Sequence, residues 1–430
     1  MTLALLHIND QALQLFTETG EQRSEVGYVQ VDEQRLVSGS AARSNAWLQP
    51  QFSYNQHWRQ LDQRPLKQSR RWARNHADMA FAQLRQVLDG IDQPDLVLSV
   101  PASLNDGQLA LLLGLLKALP ARVCGIIDSA LLGAVPHCRA VIELQQHQTL
   151  ISHLTSADGE LLLARHELLS DLGALAIQRD IARQLSDQLI VDTRYDPLHS
   201  SASQQALHDA LPTWLAQLAI HAEYLTELPS PQGLLALRMV RAQLQQVLAP
   251  RTATLARVLQ SYAGEHLAIA PAGELLSIFS PELKAVEVIS TTVLANRGLA
   301  LGRAWQYDPP PLGRLQSLTI AIINASSSRA GSAPAVGDAQ PLRSPATHLL
   351  YRDRAWSLDR GLSFNLVGEH LKIALGQLAG ADVSLISCAT GLQLIASSGA
   401  LEVQLPARNS RGEWLQIGAF KLALIEVIDA

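Results

Sequence analysis

Residues 95–135 read DLVLSVPASLNDGQLALLLGLLKALPARVCGIIDSALLGAV and indicate the fold class of the chain. Leu96–Val100 is an apolar run of strand length, typical of a strand that is covered on both faces. Asn105 and Asp106 provide side-chain acceptors at the start of an apolar helix, and Arg122–Ile127 reads as a second short strand. A strand, a helix, a strand and a further helix start, in this order, predict an α/β domain.

Six residues of this stretch fit the family pattern V-P-A-x-x-N-D-x-Q at the right spacing: Val100, Pro101, Ala102, Asn105, Asp106 and Gln108. The stretch resembles the DnaK-type chaperones, the 70-kDa heat-shock proteins of the actin-like ATPase superfamily. Asn296–Ala304 is similar to the Gly-Ala-Ala-x-x-Ala helix that closes the nucleotide-binding domain of that family. The resemblance implies a two-lobed, actin-like α/β fold over residues 1–305.

The first phosphate-binding hairpin of that family and its lysine are altered in this sequence. The family hairpin begins Asp-Leu-Gly-Thr-Thr, where this chain has HINDQ at residues 7–11. No glycine lets the backbone approach a phosphate there, and the carboxylate of Asp10 would repel one. Counting on from Pro50, the family's catalytic lysine falls at Trp58, with Arg59 beside it. A tryptophan cannot place an ammonium group beside a γ-phosphate.

The second phosphate-binding hairpin is altered too. Ala140–Leu144 and Thr149–Leu154 read as its two strands, but the turn between them is QQHQ, residues 145–148, where the family has glycines. Four long side chains would fill the phosphate space instead of lining it. Ser129 stands where the family has the glutamate of its metal and water network. Asp128, one residue earlier, reads as the N-cap of the next helix.

The adenosine-binding motif of the family is only partly present. Residues 270–274 read APAGE, where the family has Gly-Gly-Ser-x-x-Pro. The region that supplies adenine contacts in the family contains Arg238, Arg241 and Arg251. With every nucleotide motif altered, the sequence predicts a pseudo-ATPase with no catalytic, cofactor-binding or metal-ligating residue, and no cofactor is expected. ATP with magnesium is the alternative.

The rest of this part of the chain alternates between strand and helix patterns. Predicted strands are Leu3–Ile8, Ala12–Thr17 and Val26–Val31, in an antiparallel arrangement. Predicted helices are Ser69–Leu88, with Trp72 on its apolar side, and Asp171–Leu189, Ser200–Glu227 and Ser230–Tyr262.

Composition narrows the class of protein further. The formal net charge of −5 provides no basic surplus for nucleic acid or for an anionic membrane. No apolar run approaches the ~20 residues that span a bilayer, and the apolar start Met1–Ile8 is too short for a signal peptide. Cys124, Cys138 and Cys388 lack metal-binding spacing and are expected to be buried free thiols in a reducing cytosol. The sequence therefore predicts a cytoplasmic protein without membrane insertion or nucleic-acid binding.

A proline-rich segment precedes a change of pattern. Residues 306–317 contain Asp308-Pro309-Pro310-Pro311 and are predicted to be a stiff linker. Many short strands at regular spacing then predict an all-β sandwich over residues 318–430. Ser326–Pro345 is predicted to be a loop. The strand candidates are Leu318–Ile323, His348–Tyr351, Ala355–Leu358, Ser363–Val367, Leu371–Leu375, Val383–Ile386, Leu392–Ala396, Leu401–Gln404, Trp414–Ile417 and Lys421–Val427.

Two families are candidates for this β-rich part. By position, it corresponds to the substrate-binding β domain of the DnaK-type chaperones. By pattern, Trp356–Val427 is similar to a forkhead-associated sandwich, which reads phosphothreonine. The matching pieces are residues 358–361 (LDRG), 383–384 (VS), 391–394 (GLQL) and 415–418 (LQIG). The Gly-Arg, Ser-x-x-His and Asn-Gly contacts of that family are not recognisable here.

Three functions follow as hypotheses. The first is a non-catalytic, DnaK-like protein that acts as a protein–protein interaction or scaffold module, with an unknown protein partner. The second is an ATP-binding chaperone with an atypical nucleotide site. The third is a peptide or phosphopeptide binder that uses the C-terminal β domain, for example by strand addition.

Overall fold

The computed structural model describes residues 2–68, 71–311, 313–323, 348–351, 354–358, 362–367, 370–375, 381–388, 391–397, 403–404, 414–417 and 420–425. Contacts divide the chain into two compact units, Met1–Ala333 and Pro334–Ala430. The first unit is mixed α/β, and the described part of the second is β-rich. The predicted fold class is confirmed at this level.

The first unit contains strands and helices along its whole length. In chain order they are β1 (Leu3–His7), β2 (Ala12–Thr17), β3 (Gln22–Val26), β4 (Val29–Val31), β5 (Leu36–Ser38), α1 (Ser40–Arg43), β6 (Ser53–Tyr54), α2 (His76–Val87), β7 (Asp95–Val100), α3 (Asp106–Lys117), β8 (Arg122–Asp128), α4 (Ser129–Leu132), β9 (Cys138–Leu144), β10 (Thr149–Ala157), β11 (Glu160–Leu169), α5 (Ala174–Thr193), α6 (Ser201–Ile220), β12 (Glu223–Ser230), β13 (Gly233–Val240), α7 (Arg241–Gln260), β14 (His266–Ile269), α8 (Glu274–Phe279), β15 (Glu287–Val288), α9 (Thr291–Trp305), β16 (Arg314–Leu315) and β17 (Ser317–Thr319).

The first unit contains two six-stranded sheets that share one topology in five of their six strands. The first has the order β16-β8-β7-β1-β2-β3, and the second has the order β15-β14-β9-β10-β11-β17. In the first, β1 pairs with β2 antiparallel and with β7 parallel. In the second, β9 pairs with β10 antiparallel and with β14 parallel. Each sheet therefore begins with an antiparallel meander of three strands and continues with parallel strands on the other side of its first strand.

The organising stretch forms the parallel part of the first sheet, as predicted. Leu96 and Leu98 of β7 pack with α2 and α3, whereas Val97 packs in a second core that includes α4 and α9. β7 is thus covered on both faces. Helix α3 begins with a capping box, because the side chain of Asn105 accepts from the Gln108 amide and the side chain of Gln108 accepts from the Asn105 amide.

Each sheet carries an insertion with a small sheet of its own. Between β3 and α2, strands β4, β5 and β6 form a three-stranded sheet next to α1. After α5, the second insertion consists of α6, the hairpin β12–β13 and α7. The predicted helices Ser200–Glu227 and Ser230–Tyr262 are wrong over residues 223–240, where the hairpin forms. Helix α2 begins at His76, so Trp72 lies outside the helix that was predicted to contain it.

The boundary between the α/β and β parts lies later than predicted. β16 lies within the predicted linker and pairs parallel with β8. β17, which was assigned to the β-sandwich, pairs antiparallel with β11. Both short strands extend the sheets of the first unit by backbone hydrogen bonding. The proline-rich sequence before them gave no sign of this pairing.

The described strands of the second unit form two antiparallel sheets, with the orders β19-β18-β26-β25-β24 and β21-β20-β22-β23. Apolar side chains of both sheets form one core, which includes Leu349, Phe364, Leu385 and Leu415. The strands are β18 (His348–Tyr351), β19 (Arg354–Ser357), β20 (Leu362–Val367), β21 (His370–Leu375), β22 (Val383–Cys388), β23 (Gly391–Ser397), β24 (Val403–Gln404), β25 (Trp414–Ile417) and β26 (Phe420–Ile425).

Several sequence predictions fall outside the described residues. They are the loop at residues 326–345 and parts of the forkhead-associated pattern at residues 359–361 and 418. Cys124 and Cys138 are buried free thiols, as predicted, whereas the side chain of Cys388 is not among those described. In the described part of the chain, no helix has both the length and the apolar character that crossing a membrane requires.

Candidate functional site

The candidate site lies where the β1–β2 turn meets the β9–β10 turn. The amide of Gln146 donates to Asp10 Oδ1 at 2.5 Å, and the side chain of Gln11 donates to the Leu144 carbonyl at 2.7 Å. Asn9 Nδ2 donates to the same carbonyl at 3.2 Å. The two turns that correspond to the phosphate-binding hairpins of the resembling family are therefore hydrogen-bonded directly to each other.

The β9–β10 turn is held by its own long side chains. The Gln145 amide donates to the Gln148 carbonyl at 2.8 Å, and Gln148 Nε2 donates to Gln145 Oε1 at 2.7 Å. All residues from 145 to 148 except His147 are buried. The turn needs no residue with positive φ, which explains how glutamines can replace glycines here. Gln145 and Gln148 also line a cavity beside the turn, so the predicted filling of this space by side chains stays a prediction.

Helix α5 begins against the same turn. Its first amides, of Ala174 and Leu175, donate to the carbonyls of Gln145 and Gln146 at 3.0 Å. A Cβ atom on Gly173 would lie 2.3 Å from the carbonyl carbon of His147, so only glycine permits this close approach. The amides at a helix N-terminus can bind anions, but these two are already used by the turn.

A buried carboxyl group, that of Glu143, connects the two sheets. Its Oε1 accepts from Asn9 Nδ2 at 3.2 Å and from Gln145 Nε2 at 3.3 Å, and its Oε2 accepts from Ser129 Oγ at 2.6 Å. Burial raises the pKa of Glu143 to about 7. Sequence reasoning missed this residue, although a single acid inside the apolar strand VIEL was a usable signal.

Two further buried carboxyl groups lie near Glu143. Burial raises the pKa of Asp10 to about 6 and that of Asp128 to about 6. Asp128 Oδ1 accepts from the Ala130 amide at 3.1 Å, which confirms the predicted N-cap. In the described part of the chain, Asp10 Oδ2 and Asp128 Oδ2 have no hydrogen-bond partner, and Arg314 NH1 lies 3.8 Å from the latter.

These acids do not form a metal centre. Within the described ranges, no group of three or more His, Cys, Asp or Glu side chains has an arrangement that could hold a metal ion. Ser129, at the position of the family's glutamate, instead hydrogen-bonds Glu143. The cluster is a set of buried acids with raised pKa values, held by amide and hydroxyl donors.

A cavity of about 290 Å³ opens beside the two turns. Asp10, Trp58, Arg59, Gln145 and Gln148 are among its lining residues. The sequence comparison had placed Trp58 at the position of the family's lysine, and the structure does bring it to this cavity. Its indole is buried and donates to Gln83 Oε1 at 2.7 Å, so it forms part of the wall.

A second cavity, of about 450 Å³, lies between the two insertions. Tyr28 and Trp47 line it from the first insertion, and Arg179, Arg183 and His208 line it from α5 and α6. The cavity combines aromatic side chains with two guanidinium groups.

A direct contact joins the insertions beside this cavity, and we call it the clasp: Arg43, Trp47, Gln205 and His208. The rings of Trp47 and His208 stack with centroids 4.0 Å apart. Arg43 NH2 donates to the His208 carbonyl at 3.0 Å, and Gln205 Nε2 donates to the Arg43 carbonyl at 3.1 Å. Burial lowers the pKa of His208 to about 4, so the ring stacks in its neutral form at physiological pH.

The arginines considered for adenine contacts are engaged elsewhere. Arg238 pairs with Glu223 at 2.7 Å and Arg251 pairs with Asp180 at 2.6 Å. Arg241 NH2 donates to the His221 carbonyl at 2.7 Å. None of the three lines either cavity described above. The two arginines that do line the larger cavity, Arg179 and Arg183, were not singled out from the sequence.

No protein-family model matches the chain, and no curated protein matches it significantly.

Proposed function

We propose that the first unit is an actin-like fold without ATPase activity and that the chain serves as a protein-interaction or scaffold module. The repeated topology of the two sheets supports a two-lobed, actin-like arrangement. The insertion after the third strand of the first sheet and the insertion after α5 agree with it. The C-terminal β-rich unit follows the α/β unit, as in the DnaK-type order of domains.

One observation carries the loss of ATPase activity: the two turns are bonded to each other. The Gln146 amide and Asp10 Oδ1 lie 2.5 Å apart, and Gln11 Nε2 lies 2.7 Å from the Leu144 carbonyl. Phosphoryl transfer depends almost entirely on positioning and on charge stabilisation. Here the two turns bond to each other and a buried tryptophan stands at position 58, while the cavity beside them carries the carboxyl group of Asp10 as well as the guanidinium of Arg59.

Titration of the full-length chain with Mg-ATP and Mg-ADP, together with an ATP hydrolysis assay, tests this proposal. We expect neither hydrolysis above the buffer rate nor a saturable heat of binding. The Arg179→Ala/Arg183→Ala variant removes the cations of the 450 Å³ cavity only and therefore separates binding there from binding at the two turns. Hydrolysis, or a heat of binding that the wild type and this variant share, would overturn the proposal.

A second candidate function is supported by that same cavity. Its volume of about 450 Å³ lies within the range of small-molecule sites, and aromatic and guanidinium groups suit a nucleotide. An ATP-binding protein with an atypical site would use it without the two hairpins. This alternative predicts that the wild type binds nucleotide without hydrolysing it and that the Arg179→Ala/Arg183→Ala variant no longer binds it.

A further inference from the structure

A third cavity lies apart from the two described above and is rich in arginine. It measures about 590 Å³ and is formed by the segment before β5, the segment before α2 and one face of α2. Asp78, Phe81, Ala82 and Arg85 line it from α2, at the spacing that places residues on one helix face. The opposite face of α2, with Met79 and Leu84, is buried in the protein. We call this cavity the arginine pocket.

Four arginines and one acid line the arginine pocket: Arg35, Arg71, Arg74, Arg85 and Asp78. Asp78 is already used, since its Oδ2 accepts from the Arg74 amide at 2.8 Å and from Arg74 Nε at 3.2 Å. Within the described part of the chain, no carboxylate pairs with the guanidinium groups of Arg35, Arg71 or Arg85. A chain of net charge −5 thus concentrates three uncompensated cations at one place.

Apolar and aromatic groups lie among these cations. Trp72 is 46% exposed, and its Nε1 donates to the Glu33 carbonyl at 3.3 Å, which fixes the ring. The guanidinium of Arg71 lies over the ring, 5.2 Å from its centroid. Leu36 and Phe81 complete the apolar lining. The pocket therefore presents an apolar and aromatic surface directly beside its free cations.

We propose that the arginine pocket binds a phosphorylated segment of a partner protein. Guanidinium groups match phosphate oxygens with two parallel hydrogen bonds, and arginine clusters are a recurrent mode of phosphopeptide recognition. A phosphorylated side chain brings about two negative charges to the pocket. An apolar residue next to it in the partner contacts Trp72, Leu36 and Phe81. This inference rests on the proposed interaction function and names the chemistry of its partner.

Two other anionic ligands fit the pocket less well. Single-stranded nucleic acid is bound along an extended basic groove, whereas these cations line one cavity of an acidic protein. A free nucleotide is usually enclosed over most of its surface, whereas all four arginines here are exposed. A partner protein supplies the missing cover with its own surface.

The test measures retention of synthetic peptides on immobilised full-length chain. The probe is a peptide mixture with a central phosphothreonine or phosphoserine and randomised flanking residues, compared with the same mixture without phosphate. We expect the phosphorylated mixture to be retained, and the Arg35→Glu/Arg85→Glu variant to retain at least about tenfold less, because charged hydrogen bonds are lost. Peptides with an apolar residue beside the phosphorylated one should be enriched.

The matched control is Arg257→Glu/Arg303→Glu, which changes the net charge equally at two exposed arginines outside the pocket. It should retain the phosphorylated mixture as the wild type does, and thermal unfolding should show that both variants are folded. Absence of retention, equal retention of the unphosphorylated mixture, or retention that persists in Arg35→Glu/Arg85→Glu would each overturn the inference. The inference would also be overturned if ADP or oligothymidine displaced the peptides and bound more tightly than the peptides do.

The outcome is independent of the nucleotide experiment. Nucleotide in the 450 Å³ cavity is reported by Arg179 and Arg183, whereas the phosphorylated segment is reported by Arg35 and Arg85. Failure of the scaffold proposal and failure of this inference are therefore distinguishable.

Discussion

Glu143 connects the two sheets of the first unit through one buried carboxyl group. Its carboxyl group accepts hydrogen bonds from Asn9, Ser129 and Gln145, and thereby joins the first strand of one sheet to the first strand of the other. Burial makes this acid keep its proton to a higher pH than an exposed acid, although the hydrogen bonds from Ser129 and Gln145 act in the opposite direction. The net effect raises the pKa of Glu143 in the folded protein.

Glu143→Gln should make unfolding less sensitive to pH. The pKa of Glu143 is about 7 in the folded protein and 4.5 for the ordinary group. Because the folded pKa is raised, its stabilisation is complete below about pH 4.5 and is lost as pH rises towards 7. The free energy of unfolding of Glu143→Gln, minus that of the wild type, should rise by at most about 3 kcal/mol between pH 4.5 and 8.

Urea unfolding at several pH values measures this difference. Taking the difference from wild type removes the contributions of His7 and His57, which are the same in both proteins. Asp10 and Asp128 interact electrostatically with Glu143, so the difference reports the three coupled acids together. Glu282→Gln, at an exposed position, is the control and should give a flat difference. A flat difference for Glu143→Gln itself would contradict the prediction.

At the scale of elements, hydrogen bonds join the β1–β2 turn, the β9–β10 turn and α5 into one assembly. Gly173 permits the contact, because a Cβ atom would lie 2.3 Å from His147 C and 2.6 Å from Gln146 O and Gln148 N. These are backbone atoms, which cannot rotate away as a side chain can.

Gly173→Ala should therefore destabilise the protein by about 1–3 kcal/mol, as overpacking typically does. Gly114→Ala is the matched control, since it lies within α3 and its Cβ would meet nothing within 4 Å. The control should stabilise the helix by about 0.5–1 kcal/mol. Chemical unfolding of both variants measures the two effects. An alanine at 173 that costs no stability would show that α5 does not need its contact with the turn.

Sequence patterns predicted the elements that are strongly apolar and locally capped. β7, α3 and β8 were found because an apolar run and an Asn105–Gln108 capping box are local signals. The same residues carry the family resemblance, so that motif reports a helix start more than a chemical site. The hairpin β12–β13 was missed because its leucines, such as Leu225 and Leu228, also fit helical spacing.

The candidate site could be predicted only in part. Replacement of the glycines at residues 145–148 is visible in the sequence, and so is the tryptophan at position 58. The direct bond between the two turns is not visible, because it joins residues 136 positions apart. The arginine pocket was missed for the same reason: Arg35 and Arg85 come together only when β5 packs beside α2.

At the scale of the whole first unit, the clasp should control access to the 450 Å³ cavity. Trp47→Ala removes a stacked pair worth about 0.5–1.5 kcal/mol beyond its buried area. Amide hydrogen exchange should therefore accelerate in residues 43–55 and 201–209. Tyr307→Ala, at a side chain that is 91% exposed, is the control and should change neither segment. Unchanged exchange in Trp47→Ala would show that the two insertions are held together without the clasp.

The last strands of the first unit carry the final prediction. β16 and β17 extend the two sheets, and Arg314 lies 3.8 Å from the fully buried carboxyl group of Asp128. A fragment of residues 1–333 keeps these contacts, whereas one of residues 1–311 loses two strands and leaves Asp128 unpaired. Removal of one partner from a buried ion pair costs about 3–5 kcal/mol, so thermal unfolding should show the shorter fragment to be markedly less stable.

Arg314→Met in the full-length chain separates the ion pair from the strands, and should reproduce part of the loss. If the two fragments were equally stable, the α/β part would end at residue 305, as the proline-rich sequence alone predicted.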